Sequence, residues 1–190
     1  MNNNFDSYCG MYCGACDIQT AYRSGHKDKF SAFWTERVLK AYAKAQGTAI
    51  NAPDDLELKC HGCKSDTLFI NCRHCTIRAC ARDKKVEHCI DCSDFPCTTY
   101  RERKKAEGLL PHLTLCQKNM ESIKQSGVNQ WLAGQKEQWQ CPECRTGFAW
   151  YADRCHSCGT DLKNSTFNFS FIQSALLKLG ISLQALGHRK

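Results

Sequence analysis

The sequence predicts a small α+β fold: a helix-rich domain stapled through its cysteines, followed by a second, smaller cysteine module. The chain has 190 residues and 16 cysteines, a density typical of disulfide or metal scaffolds. Most of the cysteines fall in pairs spaced C-x2-C. Apolar side chains also recur at i, i+3 and i+4 in several segments, which predicts amphipathic helices. Short hairpins at the cysteine pairs would supply the β-structure.

The densest stretch lies in the middle of the chain. Its eight cysteines are Cys60, Cys63, Cys72, Cys75, Cys80, Cys89, Cys92 and Cys97. A tight turn between paired cysteines aims both sulfurs at one point, where a soft metal ion completes its tetrahedron with a second pair. Eight thiolates match two such ions. The preferred grouping is sequential, the first four and then the last four; an interleaved grouping, or one that uses Cys9 or Cys13, stays open.

The redox state of the compartment decides whether the cysteines bind metal or form disulfides. Residues 1–10 show no basic and apolar leader, and no apolar run approaches the roughly 18 residues of a membrane span. A cytoplasmic location follows as an expectation, with no membrane contact. Because cytoplasmic thiols stay reduced, the cysteines are interpreted as metal ligands.

The formal net charge of +7 counts every cysteine as neutral. Zinc held by four thiolates carries a net charge of −2, so three such sites would move the chain to about +1 and four to about −1. The basic excess therefore mostly balances the metal sites. A nucleic-acid partner is correspondingly less favoured.

A third group stands near the N-terminus, where Cys9, Cys13 and Cys16 have the spacing C-x3-C-x2-C. Radical S-adenosylmethionine enzymes hold an iron–sulfur cluster with this pattern, but this chain is too short for their barrel. The plainer interpretation is a metal site whose fourth ligand comes from later in the chain. Cys116 and His112 are candidates because they lie four residues apart on one predicted helix. An iron–sulfur cluster stays open as the alternative.

Helical periodicity predicts the framework around these cysteines. The predicted helices span residues 17–24, 27–46, 76–86, 98–107, 111–125 and 128–138, with a last one within 164–187. Aromatic residues at helical spacing in the second segment predict a core face. The last segment is expected to dock on the body of the protein.

Several of these motifs also resemble a known family. They are Tyr8-Cys9-Gly10, the Cys13/Cys16 pair, Cys60-His61-Gly62-Cys63, the Ile77-Arg78-Ala79-Cys80-Ala81 run with Cys89 and Cys92, and Phe95-Pro96-Cys97. Together they resemble the cysteine-rich family catalogued as domain of unknown function 3795, over about residues 5–135. The resemblance implies metal binding and implies no defined activity.

The second module has its own signature. Cys141, Cys144, Cys155 and Cys158 form C-x2-C-x10-C-x2-C, which predicts a zinc ribbon with two knuckles and a short strand such as 147–151. The aromatic residues Phe148, Trp150 and Tyr151 either stack on bases or pack against Trp139. Packing is the favoured interpretation.

The sequence thus predicts three parts: a metal-binding domain over 1–135, a zinc ribbon over 138–162 and a helical segment over 164–187. About three to four Zn²⁺ ions would be bound. The expected function is a cytoplasmic zinc-binding adaptor that contacts a protein partner. No catalytic residue is predicted, since motifs such as H-E-x-x-H and G-x-S-x-G are missing. The alternatives are an iron–sulfur protein using the N-terminal group, and a nucleic-acid-binding zinc protein.

Overall fold

The computed structural model describes residues 5–187. Within this range the chain forms nine α-helices joined by loops and short 3-10 turns. They are α1 (Asp17–Ser24), α2 (Lys29–Phe33), α3 (Glu36–Ala45), α4 (Ile70–Arg73), α5 (Thr76–Asp83), α6 (Thr98–Glu102), α7 (Leu115–Ser126), α8 (Val128–Gln138) and α9 (Phe171–Gly187).

The predicted helix over 27–46 is interrupted, and it forms α2 and α3 instead. The break falls at Trp34, whose backbone leaves the helical conformation. Thr35 then caps the next helix, because its hydroxyl accepts a hydrogen bond from the Val38 N–H at 3.4 Å. The break turns the Trp34 ring toward Phe69 of the central cysteine stretch, with ring centroids 5.0 Å apart. The helices are therefore joined to that stretch by aromatic packing.

The prediction of an α+β fold is wrong. Residues 5–187 contain no β-strand. The segment predicted as a zinc ribbon, 138–162, is called the ribbon below, and it holds only two isolated antiparallel bridges, Gln140 with Gly147 and Arg154 with Asp161. Each knuckle closes its own turn with a single bridge, so no ladder follows from it. The fold is helical and is stapled by irregular, cysteine-bearing loops.

The segment predicted as a strand, 147–151, fails for a physical reason. A half-buried strand alternates between the core and solvent, but Phe148, Ala149, Trp150, Tyr151 and Ala152 are all buried in succession. Its backbone also bonds to several unrelated segments rather than to one neighbouring strand. These bonds run from the Phe148 N–H to the Trp139 carbonyl, from the Trp150 N–H to the Ala15 carbonyl, and from the Phe167 N–H to the Trp150 carbonyl.

One hydrophobic core connects the ribbon with the N-terminal helices. Phe30 of α2 lies at its centre, with ring-centroid distances of 5.3 Å to Tyr151 and 5.1 Å to Phe169. Tyr12, near the N-terminus, packs edge-on against Trp131 of α8 at 6.1 Å. Since the ribbon aromatics are built into this core, the core fixes where the ribbon sits.

The last helix, α9, lies against α3. It begins at a capping box, in which Ser170 and Gln173 each accept the other's backbone N–H. Ile181 and Ala185 are buried on its inner side. No helix within residues 5–187 combines the length and the apolar character that crossing a bilayer requires.

Candidate metal centres

The ribbon cysteines converge. The ligand sulfurs of Cys141, Cys144, Cys155 and Cys158 all lie within 4.8 Å of one another, and two sulfur–sulfur distances, Cys141 to Cys158 and Cys144 to Cys155, are 3.5 Å. Tetrahedral zinc with Zn–S bonds of about 2.3 Å needs sulfurs about 3.8 Å apart. The four thiols, called the ribbon site below, therefore fit a single metal ion.

Two copies of the same turn build this site. In the first knuckle the Arg145 N–H donates to the Cys141 carbonyl at 2.9 Å; in the second the Gly159 N–H donates to the Cys155 carbonyl at 2.8 Å. Both Arg145 and Gly159 adopt positive φ, +62° and +79°. This left-handed residue ends each turn, so that both sulfurs of a pair face the same point.

Two threonines belong to the ribbon site and were missed by the sequence analysis. Thr146 Oγ1 lies 3.3 Å from Cys144 Sγ, and Thr160 Oγ1 lies 3.1 Å from Cys158 Sγ. The signal was present in the sequence as a repeated C-x2-C-x-T, in Cys141 to Thr146 and Cys155 to Thr160. Hydroxyls in this position support the charge of a thiolate ligand.

The electrostatics of the ribbon favour thiolate at both cysteines of its first knuckle. Interactions with the Thr146 hydroxyl and with the Thr146 backbone N–H lower the pKa of the Cys144 thiol to about 6. The Cys144 and Glu143 N–H groups lower the pKa of the Cys141 thiol. At Cys155, burial raises the pKa to about 11. A bound metal cation favours the deprotonated Cys155 sulfur and so offsets the cost of ionising it in a buried position.

A second set of cysteines gathers residues from three separate parts of the chain. This six-cysteine group consists of Cys13, Cys16, Cys60, Cys63, Cys72 and Cys75. Its members interact electrostatically: burial first, and then the neighbouring Cys16, Cys60, Cys63 and Cys75 sulfurs, raise the pKa of the Cys72 thiol. Burial and the Cys60 sulfur likewise raise the pKa of Cys16 to about 12. The N-terminal pair therefore lies with the first two pairs of the central stretch.

Local contacts explain why the three pairs of the six-cysteine group lie together. The Cys63 N–H points at the Cys13 sulfur at an N···S distance of 3.4 Å. Cys72 lies on α4, and Cys75 precedes the first turn of α5. Arg78 ties the Cys63 loop to α5, donating to the Cys63 and Ser65 carbonyls at 2.9 and 3.2 Å.

A third set, the four-cysteine group, consists of Cys80, Cys89, Cys92 and Cys97. These four line a cavity of about 20 Å³ together with Ala81, Lys84, Val86 and Phe95. A volume of that size holds about one atom or a water molecule. Lys84 borders the cavity, with its Nζ 3.7 Å from Cys92 Sγ and paired with Asp94. The group has the same members as the second set of the sequential scheme, but its sulfurs, unlike those of the ribbon site, do not all lie within 4.8 Å of one another. The sequential grouping stays a prediction.

The three N-terminal cysteines do not share one point. Within residues 5–187, the ribbon site is the only set of three or more ligands whose donor atoms all lie within 4.8 Å of one another. The sulfurs of Cys9, Cys13 and Cys16 therefore do not converge at that distance. Cys9 instead shares a hydrogen bond with Cys116, which lowers the pKa of the Cys9 thiol to about 6 and raises that of Cys116. Cys9 also interacts electrostatically with Cys63 and Cys89.

His112, the other candidate for the fourth ligand, is packed in the core. Its ring stacks on Trp150 with centroids 4.3 Å apart and 7° between planes. Its Nδ1 lies 2.7 Å from the Tyr151 hydroxyl, and burial lowers its pKa to about 3. The structure therefore places His112 against the ribbon aromatics. Among residues 5–187, His112 belongs to no set of three or more ligands whose donor atoms lie within 4.8 Å of one another.

A buried ion pair holds the N-terminal segment between the six-cysteine group and the four-cysteine group. Asp6 Oδ2 lies 2.7 Å from Lys64 Nζ and 2.8 Å from His88 Nε2. The Cys89 N–H also donates to the Tyr8 carbonyl at 2.7 Å. Asp6 thus contacts both the loop after Cys63 and the turn that leads to Cys89, and Tyr8 contacts that turn a second time.

The fold and these groups together define a helical, cysteine-rich protein with a four-thiol site that has room for one metal ion. The chain belongs to the family described as protein of unknown function (DUF3795), whose sequence model matches residues 5–102. That match covers the six-cysteine and four-cysteine groups and ends before the ribbon. No curated protein and no solved structure matches the chain.

Proposed function

We propose that this protein binds zinc through its cysteines and acts as a structural adaptor in a reducing compartment such as the cytoplasm. The observation that carries the proposal is the ribbon site, where four sulfurs lie within 4.8 Å of one another. Four thiolates satisfy tetrahedral zinc and leave no open position for a substrate. Such an ion contributes to stability and shape and takes no part in chemistry.

The chemistry of the donors supports zinc at the ribbon. All sixteen cysteines of the chain are free thiols, as metal ligation requires. The ribbon offers sulfur ligands alone, which suit zinc and iron and disfavour magnesium and calcium. The N–H groups of each knuckle and the two threonine hydroxyls stabilise charge on the sulfurs.

Cobalt substitution tests the ribbon site. Protein prepared with Co²⁺ is expected to show the absorption of a tetrahedral thiolate site, and Cys144→Ser is expected to remove one ion per chain. Ser157→Ala is the matched control, since Ser157 lies in the other knuckle between two ligands and is itself no ligand. Equal metal content in Cys144→Ser and the control would refute the ribbon site.

An iron–sulfur protein is the second candidate, and one observation favours it. The sulfurs of the six-cysteine group are neighbours but are not all within the 4.8 Å that a single ion requires. A cluster of several irons spans a wider set of thiolates. Iron and acid-labile sulfide in anaerobically purified protein, lost in Cys72→Ser, would establish this candidate.

A further inference from the structure

The outer side of α9 carries a continuous apolar seam. Five of its side chains are at least 49% exposed and are spaced by four, three, four and three residues: Ile172, Leu176, Leu179, Leu183 and Leu186. Their exposed fractions run from 49% at Leu176 to 69% at Ile172, and Phe171 beside them is 88% exposed. Apolar patches of this size on a folded protein mark interaction surfaces.

The seam lies opposite the side that docks on the protein. Ile181 and Ala185 are buried against the body, and residues four apart lie on one side of a helix. Leu179 and Leu183, two positions before each of them, lie on the far side. Within residues 5–187, packing therefore uses one face of α9. Of the seam, only Leu176 borders the groove against α2 and α3, and the rest of the outer face is left uncovered by the described chain.

The spacing of the seam identifies the kind of partner. Apolar residues alternating at four and three positions form the a and d positions of two heptads, which interlock with another helix. The residues that flank the seam are small: Ala175, Gly180, Ser182 and Gly187. Small flanking residues let two helix backbones approach closely. A Cβ at Gly180 would meet no atom within 4 Å, so no packing within the chain requires glycine there.

Charge and area favour a second copy of this chain. The only charged residue from 171 to 187 is Lys178, and its Nζ lies over the Phe33 ring at 5.8 Å. Two copies of the seam would therefore meet without repulsion. The six exposed side chains offer on the order of 600 Å² per copy, near the roughly 800 Å² per partner of a stable interface. A helix that lies on a membrane instead carries a basic polar face, which α9 lacks.

We infer that α9 is a self-association surface, through which two copies of the chain pair by a twofold axis with their leucine seams in contact. In such a pair each copy presents the same patch to the other. The inference is independent of the proposed zinc function, because no metal-ligand candidate lies on α9.

Sedimentation velocity of the full, metal-loaded chain tests the inference. The wild-type protein is expected to be a dimer that dissociates on dilution. Leu183→Glu, which places a charge in the seam, is expected to be monomeric. Gln184→Glu adds the same charge one residue away, outside the seam, and is expected to stay dimeric. Metal content is measured in parallel, so that a loss of zinc is distinguished from a loss of pairing.

Gly180→Gln gives a second, independent variant. It raises helix propensity, and its Cβ meets no described atom within 4 Å. The groove that Gly180 lines with Phe33 and Trp34 has room for the longer side chain, so folding is retained while the bulk beside the seam weakens pairing. A wild-type chain that is monomeric at every concentration overturns the inference. So does a dimer unaffected by Leu183→Glu, or a monomer that binds lipid vesicles through α9.

Discussion

At the scale of single residues, Gly10 lies at a close approach between the N-terminal segment and α7. Its φ is +89°, and a Cβ there would lie 2.5 Å from the Cys116 carbonyl oxygen. Gly10→Ala is therefore expected to cost about 3 kcal/mol of unfolding free energy or more, from backbone strain and the clash together. Urea unfolding of the metal-loaded protein measures it.

Gly25→Ala is the matched control for that substitution. Gly25 also has positive φ, +72°, but its Cβ would meet nothing within 4 Å. The expected cost is about 1 kcal/mol, from backbone conformation alone. Equal losses in the two variants would contradict the close approach at Gly10.

Thr146 and Thr160 are expected to tune the ribbon site. Replacing both by valine keeps their shape and removes the hydroxyls that lie beside Cys144 and Cys158. Zinc affinity is expected to fall by about 10–100-fold, the usual effect of losing groups that support a ligand. Competition with a chromophoric chelator measures it, with Ser157→Ala as the control. An unchanged affinity would mean that the hydroxyls do not act on the metal.

His112 is expected to stabilise the core without binding metal. His112→Ala removes the stacking on Trp150 and leaves the Tyr151 hydroxyl without its partner. We expect a loss of about 2–4 kcal/mol, typical of an emptied buried position with an unpaired polar group, and an unchanged metal count. Thermal unfolding and metal analysis of one preparation test this prediction. A loss of one ion per chain would show that His112 is a ligand.

At the scale of elements, the sequence predicted helices where their ends carry strong signals. Gly25 ends α1, and α8 runs from 128 to 138 after Gly127, as predicted. The break between α2 and α3 was missed because Phe33 and Trp34 continue the apolar period across it. The strand at 147–151 was predicted wrongly because its aromatic residues satisfy β-propensity, which describes a half-buried surface, whereas here residues 148–152 are buried in succession.

The grouping of the cysteines was likewise predictable within a short segment and not between distant segments. A C-x2-C spacing fixes which two sulfurs act together, as in each ribbon knuckle. It carries no information on which pairs meet across the chain. In the structure Cys16 interacts electrostatically with Cys60 and Cys72. Tyr22 of α1 packs against His61 and the Cys63 N–H points at the Cys13 sulfur, so contacts between distant segments produce this interaction.

A double-mutant comparison tests that grouping. If Cys16 and Cys72 serve one metal site, Cys16→Ser and Cys72→Ser each lower the metal count, and the double variant loses no more than either alone, because interacting positions are not additive. Cys16→Ser combined with Cys89→Ser, from the four-cysteine group, is the control and is expected to show additive losses. Additive losses for Cys16 and Cys72 would place them in separate sites.

At the scale of the whole molecule, metal and core are expected to stabilise one another. The ribbon aromatics and α2 share one core, and much of the remaining chain is loop. Structural zinc in small domains contributes about 10–16 kcal/mol of apparent binding free energy, which is comparable with the whole stability of a typical domain. Removing metal with a strong chelator is therefore expected to unfold the chain cooperatively, as followed by tryptophan fluorescence. A folded, metal-depleted chain would contradict this coupling.

The most direct test of the account is the metal content of the intact chain, purified without oxygen and measured by elemental analysis. We predict a colourless protein with about three to four zinc ions per chain, and a loss of one ion in Cys144→Ser. Iron with acid-labile sulfide in place of zinc would contradict it. So would a wild-type chain with no bound metal.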